Sequence, residues 1–399
     1  EVDQAGLIAA IANEDNTASL TLDVQGLLNN NGGFIQTTDN LSISAATINN
    51  NEGYVLAAAK VDESTAEEET PATFFADGFW NINAAAISNT AGYIQKNSAN
   101  TLTINTDELT NTNGGVVTAL EVLQLNVKET NNAQGALVGG TLNLDGVNLN
   151  NTAGNIQGDS VAVNLMGNLV NGRIPNPDTS EGADENLLGV ISAIVEDGAA
   201  AFSLYVGGIF NNNGGVIQTN ADQALIADTK PVTGAALTLP GESTLGEGQL
   251  TNVNGQIVHL GTGTLKVAIE DLDNSQGIIS SSGTADLDTN ELNNTLGSLV
   301  GSTLNLDATS LNNNGGIVQG QTVTINLTQT LTNGVAIVEA KEGEEDEDGE
   351  PVEDTEQAGA IAAVAVEGDS ALLTLNVQQQ INNRGGFIQT TDDLSITTA

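Results

Sequence analysis

Between Glu342 and Glu356 the chain carries ten carboxylates, at positions 342, 344, 345, 346, 347, 348, 350, 353, 354 and 356. Hard oxygen donors at that density suit Ca²⁺. Glu345, Asp346, Asp348 and Glu350 are the candidate metal ligands. Neither an EF-hand spacing nor a Gly-Gly-x-Gly-x-Asp nonapeptide frames them, so the sequence favours a solvated acidic loop. No other cofactor is expected. A second cluster is aromatic: Phe74, Phe75, Phe79 and Trp80 fall within seven residues in a chain with seven Phe, three Tyr and one Trp. Such rings could stack on a sugar, or fold back over apolar surface where a regular array is interrupted.

Catalysis finds little support. A lyase acting on acidic sugars needs an Arg or Lys base beside its substrate. The basic set is Lys60, Lys96, Lys128, Arg173, Lys230, Lys266, Lys341 and Arg384, with no Arg-x-Lys pair. The single histidine, His259, sits in Ile257-Val258-His259-Leu260 and reads as a surface or ladder histidine. A carboxylate pair for glycoside hydrolysis needs unlike environments, and polar strand positions such as Thr103, Asn143 and Asn305 offer none. There is no serine elbow, phosphate loop or zinc spacing. The chain is not expected to be an enzyme.

What positions these residues is a repeat. Residues 4–46 and 357–399 align without a gap at an offset of 353 and match at 28 of 43 positions, including Gly32-Gly33-Phe34-Ile35-Gln36-Thr37-Thr38-Asp39. A weaker copy includes Asn213-Gly214-Gly215-Val216-Ile217-Gln218-Thr219. The chain is therefore expected to be a piece of something longer. Inside that period runs a shorter one: alternating apolar residues, an Asn-rich turn, then Gly and a short apolar strand. Leu142-Asn-Leu144 leading to Gly154-Asn155-Ile156-Gln157 is one example, and Leu304-Asn-Leu306 leading to Asn314-Gly315-Gly316-Ile317-Val318 is another.

The last glycines of these turns lie at 33, 53, 92, 115, 135, 154, 172, 215, 255, 277, 297, 316, 334 and 386, and nine of the thirteen gaps are 18 to 23 residues. Period-two alternation marks strands with one buried face. The leucine-rich alternative lacks its Leu-x-x-Leu-x-Leu consensus and its helical return. The expected fold is all-β, a parallel β-helix (β-solenoid) of about 20-residue rungs in one continuous array over 1–399. Superunits cover about 4–185 and 186–356, with the start of a third at 357–399. The second is expected to lack one rung. Gly and Asn are expected to supply positive-φ corners, and the Asn-rich turns to stack as amide ladders. About 14 to 17 turns at roughly 4.8 Å each would make a rod on the order of 65–80 Å long.

Four stretches interrupt the rungs, at 60–80, 173–186, 227–247 and 340–358, and are expected to project as loops or hairpins. All six prolines fall in the long gaps that hold them, as expected if rung amides are needed by the strand ladder.

With 8 basic against 51 acidic residues the net charge is −43, which disfavours nucleic acid. No cysteine is present, so disulfides and thiolate metal sites are excluded. No apolar run is long enough to span a bilayer, so direct membrane insertion is not expected.

The rung Leu142-Asn143-Leu144 … Leu149-Asn150-Asn151-Thr152-Ala153-Gly154-Asn155-Ile156-Gln157 resembles the haemagglutinin-type repeats of filamentous-haemagglutinin-like exoproteins, the large adhesins exported by two-partner secretion in Gram-negative bacteria. The resemblance recurs over most of the chain. It implies a right-handed β-helix acting as the shaft of an extracellular, surface-exposed adhesin that holds cells to one another or to a biofilm matrix. The implied partners are extracellular glycan, matrix or other copies of the adhesin, with the segment itself a monomer. The stalk of a contact-dependent toxin carrier is the alternative, with a polysaccharide-acting enzyme or phage tailspike behind it.

Overall fold

The computed structural model describes residues 6–12, 18–57, 59–61, 73–75, 78–174, 187–196, 200–228, 248–340, 353–366 and 369–398. These residues form an all-β structure with no helix. The chain divides into two compact units, residues 1–203 and 204–399.

In the first unit, alternating Leu, Ile and Val residues form three columns of parallel, in-register pairs. Leu102 pairs with Leu123, Leu123 with Leu142, and Leu142 with Val161. A second column runs Val117, Leu137, Ile156 and Ile191. Leu109, Thr130, Leu149 and Leu169 form the third. Each repeat therefore supplies three strand segments, and each pairs with the same segment of the next repeat. Because side chains alternate in a strand, the apolar set turns inward together: Leu102, Leu123, Leu142 and Val117 are all fully buried. Burying one such side chain contributes about 1.5–3 kcal/mol.

The second unit repeats the plan. Its columns run Leu265, Ala285, Leu304, Val323, Leu373 and Leu394, then Ile257, Ile279, Leu299, Val318, Ile361 and Ile388. The third is Leu250, Leu272, Leu292, Leu311, Leu331 and Ile381. No strand among the described residues contains proline.

Three antiparallel pairs interrupt this pattern. Ala59–Val61 pairs with Thr73–Phe75, Arg173–Ile174 with Leu187–Leu188, and Val335–Val338 with Thr355–Ala358. Regular pairing resumes at Trp80, whose strand Trp80–Ser88 lies between Leu41–Asn49 and Thr101–Thr110. The prolines, most of the stretch 227–247 and the run 341–352 lie outside the described residues.

Positive φ falls on Gly32, Gly114, Gly214, Gly315 and Gly385 and on Asn100, Asn113 and Asn254, as expected, but the last glycine of each turn meets a different demand. Gly135 sits where an added Cβ would collide with the Asn111 carbonyl oxygen and stand 2.7 Å from Asn132 Oδ1. Gly92, Gly154, Gly255 and Gly297 sit in the same way. Glycine is needed there for close approach between turns. The left-handed residue is the one before it, and often is not glycine: Gln134 has φ 58°, Ala153 55° and Leu296 58°. Where the insertions enter, the glycines that approach the spine are Gly189 and Gly359, beside Asn171 Oδ1 and Asn333 Oδ1.

The near-identical Thr-Thr-Asp segments act as clamps. Thr38 Oγ1 and Asp39 Oδ2 accept the backbone N–H groups of Ala12 and Ala18, at 3.1 and 2.5 Å. Thr391 Oγ1 and Asp392 Oδ2 accept those of Ala365 and Ala371, at 2.9 and 2.8 Å. Each pair fastens the corner of the preceding turn.

Candidate functional site

Two kinds of asparagine column run through each unit, one buried and one facing out. The buried column of the first unit is Asn30, Asn50, Asn89, Asn111, Asn132, Asn151 and Asn171. Each Nδ2 donates to the Oδ1 of the next at 2.7–2.8 Å. In the second unit Asn212, Asn252, Asn274, Asn294, Asn313 and Asn333 do the same at 2.6–2.8 Å, the last donating to the exposed Asn383. Each amide also reaches backbone: Asn151 Nδ2 lies 3.1 Å from both Gly154 O and Val190 O. A buried carboxamide can occupy this position because it donates and accepts together. This column is a structural spine.

The outward column borders a groove. In the first unit Asn105 Nδ2 donates to Asn83 Oδ1 at 2.8 Å, Asn126 Nδ2 to Asn105 Oδ1 at 2.7 Å, and Asn164 Nδ2 to Asp145 Oδ1 at 2.8 Å. The groove has a volume of 580 Å³ and is walled by Ala85, Val147 and Met166. Lys128 Nζ lies 2.5 Å from Asp107 Oδ1 on its rim, with both side chains exposed. In the second unit Asn326 Nδ2 donates to Asp307 Oδ1 at 2.7 Å and Asn376 Nδ2 to Asn326 Oδ1 at 2.8 Å. They border a groove of 420 Å³ with Asp288, Thr309 and Gln378. Leu142-Asn143-Leu144-Asp145 and Leu304-Asn305-Leu306-Asp307 are the same segment of the repeat, so the two grooves share a register.

Carboxylates do meet in register, as Glu108 with Glu129 and Asp288 with Asp307. The Asp288 carboxyl is raised above the usual carboxylate range, mainly by burial; Asp307, Asp286 and Asp228 push the same way and Lys266 opposes them. Lys266 Nζ lies 3.6 Å from Asp286 Oδ2. Burial also raises the Tyr205 phenol.

The sequence candidates are placed as follows. Trp80 is 1% exposed and its Nε1 donates to Asp39 O at 3.0 Å, so its indole offers no free face for stacking. Phe79 is 56% exposed. Phe74 and Phe75 lie on a short strand paired with Ala59–Val61. Glu345, Asp346, Asp348 and Glu350 lie outside the described residues. Among the described residues no group of three or more His, Cys, Asp or Glu side chains could hold a metal ion.

Three features escaped sequence reasoning. Phe34, Tyr54 and Tyr93 stack with ring centroids 4.8 and 5.1 Å apart, a signal present in the residue that follows each turn glycine. Lys96 is buried, its Nζ donating to Ser98 O at 3.0 Å, Ser98 Oγ at 2.8 Å and Ala99 O. His259, read as a surface or ladder histidine, lies in the ladder between Thr219 and Ser281 and is buried there: it is 1% exposed, with Nε2 donating to Ala221 O at 2.7 Å and Nδ1 2.8 Å from Ser281 Oγ. The grooves themselves were hidden because inward and outward asparagines are the same letter.

No family model, curated protein or solved structure matches the chain.

Proposed function

We propose that the chain is a right-handed parallel β-helix with rungs of about 20 residues, and that it serves as the structural shaft of a secreted or cell-surface bacterial adhesin. The observation that carries this reading is the buried asparagine column, in which every amide bonds to its neighbour one repeat away. A scaffold whose contacts are all between neighbouring repeats grows in one dimension and holds its geometry through repetition. The adhesin role rests on the resemblance of its rungs to filamentous-haemagglutinin-like repeats. The high negative charge fits a long extracellular scaffold, because it keeps repetitive strands soluble and resists sideways pairing.

Small-angle X-ray scattering of the purified chain tests the fold reading. A rod with a maximum dimension of at least about 65 Å and a constant cross-section is expected from 4.8 Å per turn, and a compact spheroid would overturn it. Antibody labelling of intact cells of the source bacterium, with attachment assays on a deletion strain, tests the role. Surface labelling and lost attachment are expected; an intracellular protein whose deletion leaves attachment intact would refute the adhesin.

A further inference from the structure

We infer that the two outward grooves are glycan-binding sites, each taking an uncharged, hydroxyl-rich saccharide chain laid along the stack of turns. The inference goes beyond the shaft reading and needs only the geometry within each unit.

The strands under the grooves are already paired on both sides: Thr101–Thr110 lies between Trp80–Ser88 and Val116–Asn131, and Thr322–Leu327 between Ser298–Asn312 and Leu372–Val377. Their backbone groups are spent on the ladder, so a peptide cannot add as a strand. Recognition has to come from side chains. Those available are carboxamides and carboxylates.

In the outward column each Asn uses one N–H on its neighbour, Asn126 on Asn105 and Asn326 on Asp307. A carboxamide has two N–H donors, and the column bonds fix its plane without using the second. The result is a set of oriented donors, at Asn105, Asn126 and Asn164 in one groove and Asn326 and Asn376 in the other, with carboxylate acceptors at Asp145 and Asp307 in the same columns. Donors and acceptors spaced by about 4.8 Å along the stack suit a polymer that presents hydroxyls at intervals.

Charge narrows the class. Asp107 and Asp145 in one groove and Asp288 and Asp307 in the other repel uronic acids and sulfated chains, and Lys128 is engaged with Asp107. Met166, 76% exposed on the first groove's wall, adds an apolar surface for a sugar ring's C–H face. Recurrence at one register in both units marks the groove as part of the repeat and not an accident of one bend.

The test is calorimetry and a glycan array on the whole purified chain. Probes are cellohexaose, mannohexaose and maltohexaose, with alginate hexamer and oligolysine as charged controls. At least one neutral hexamer is expected to bind with a stoichiometry of two per chain, and alginate not to bind. Asn126→Ala combined with Asn326→Ala is expected to lower affinity about fivefold or more, the size of a lost hydrogen bond or two. Because those amides also brace the column, a second variant fills the first groove without touching it. Ala85→Trp should halve the stoichiometry at unchanged melting temperature. Binding by none of the neutral hexamers, binding by oligolysine alone, or neutral binding that survives both variants would each overturn the inference. Cell-surface labelling does not depend on any of these outcomes, so the glycan sites can fail while the shaft stands.

Discussion

Lys96 and His259 hold the same place in their respective turns, each four residues beyond a close-approach glycine, Gly92 or Gly255, and each fully buried. In the other turns this corner takes small residues such as Ala119, Gly139 and Ser281. Both basic side chains give their protons to corner carbonyls, Lys96 to Ser98 and Ala99, His259 to Ala221. A larger side chain therefore needs a nitrogen donor at its tip.

Lys96→Ala should lower unfolding stability by about 2–4 kcal/mol, combining lost packing with unpaired carbonyls. Lys96→His should retain more than half of that stability, since His259 shows the corner accepts an imidazole. Urea unfolding of the three proteins checks this; equal loss in both variants would mean the donor has no role.

Asn132→Asp places a carboxylate where an amide donates to Asn151 Oδ1, Gly135 O and Asn155 O. Three acceptors would then face a buried charge, and a loss of at least about 3 kcal/mol is expected. Asn148→Asp, whose amide meets the exposed Glu129, should change stability by less than about 1 kcal/mol. Comparing melting temperatures of the two variants separates spine from surface.

Gly135→Ala and Gly114→Ala make the same chemical change with opposite constraints. At Gly135 the new methyl collides with the Asn111 carbonyl, and failure to fold or a severe loss is expected. At Gly114, φ is 81° but nothing lies within 4 Å, so only backbone strain of about 1 kcal/mol applies. Circular dichroism melts of both decide the matter, and similar losses would refute the close-approach role.

The regular frame was legible because two constraints act on every repeat. Burial fixes the period-two apolar pattern, and close approach fixes a Gly after the spine Asn, three residues on in most turns and four at Asn111–Gly115. Positive φ was expected of Gly and Asn and is found at Gly114 and Asn254 among others, but the close approach of the last glycine was missed, since a sequence shows that a turn needs glycine without showing whether space or torsion demands it. Gly172 and Gly334 were counted as the last glycines of their turns, whereas Gly189 and Gly359, beyond the insertions, are the ones that approach the spine. The grooves were invisible for a related reason. Asn105 and Asn111 differ only in which way they face, and register decides that.

Trp80→Ala should lower stability by about 3–5 kcal/mol, as expected for a fully buried indole that also loses its bond to Asp39 O. Phe79→Ala should lose less than about 1 kcal/mol. If Trp80→Ala proved neutral, the burial of the indole would be without energetic consequence.

Asp288 has a carboxyl raised in the folded state, so the folded chain holds its proton more tightly than the unfolded one. Its contribution to stability is complete below the ordinary value of 3.8 and is lost as pH rises through the raised folded value. Asp288→Asn should therefore stabilise the protein at pH 7 and give no advantage at pH 3. Unfolding midpoints at the two pH values check it, and a variant less stable at pH 7 would reverse the assignment.

The buried asparagine column runs head to tail: within each unit every Oδ1 faces one neighbour and every Nδ2 the other. Every cut through it leaves the same two chemical groups, an Nδ2 on one side and an Oδ1 on the other. A turn can be removed or added by recombination and the two ends still match, as the two steps from Asn30 through Asn50 to Asn89 in one unit and the single step from Asn212 to Asn252 in the other illustrate. Length becomes a quantity that evolution can edit in whole turns without redesigning a junction.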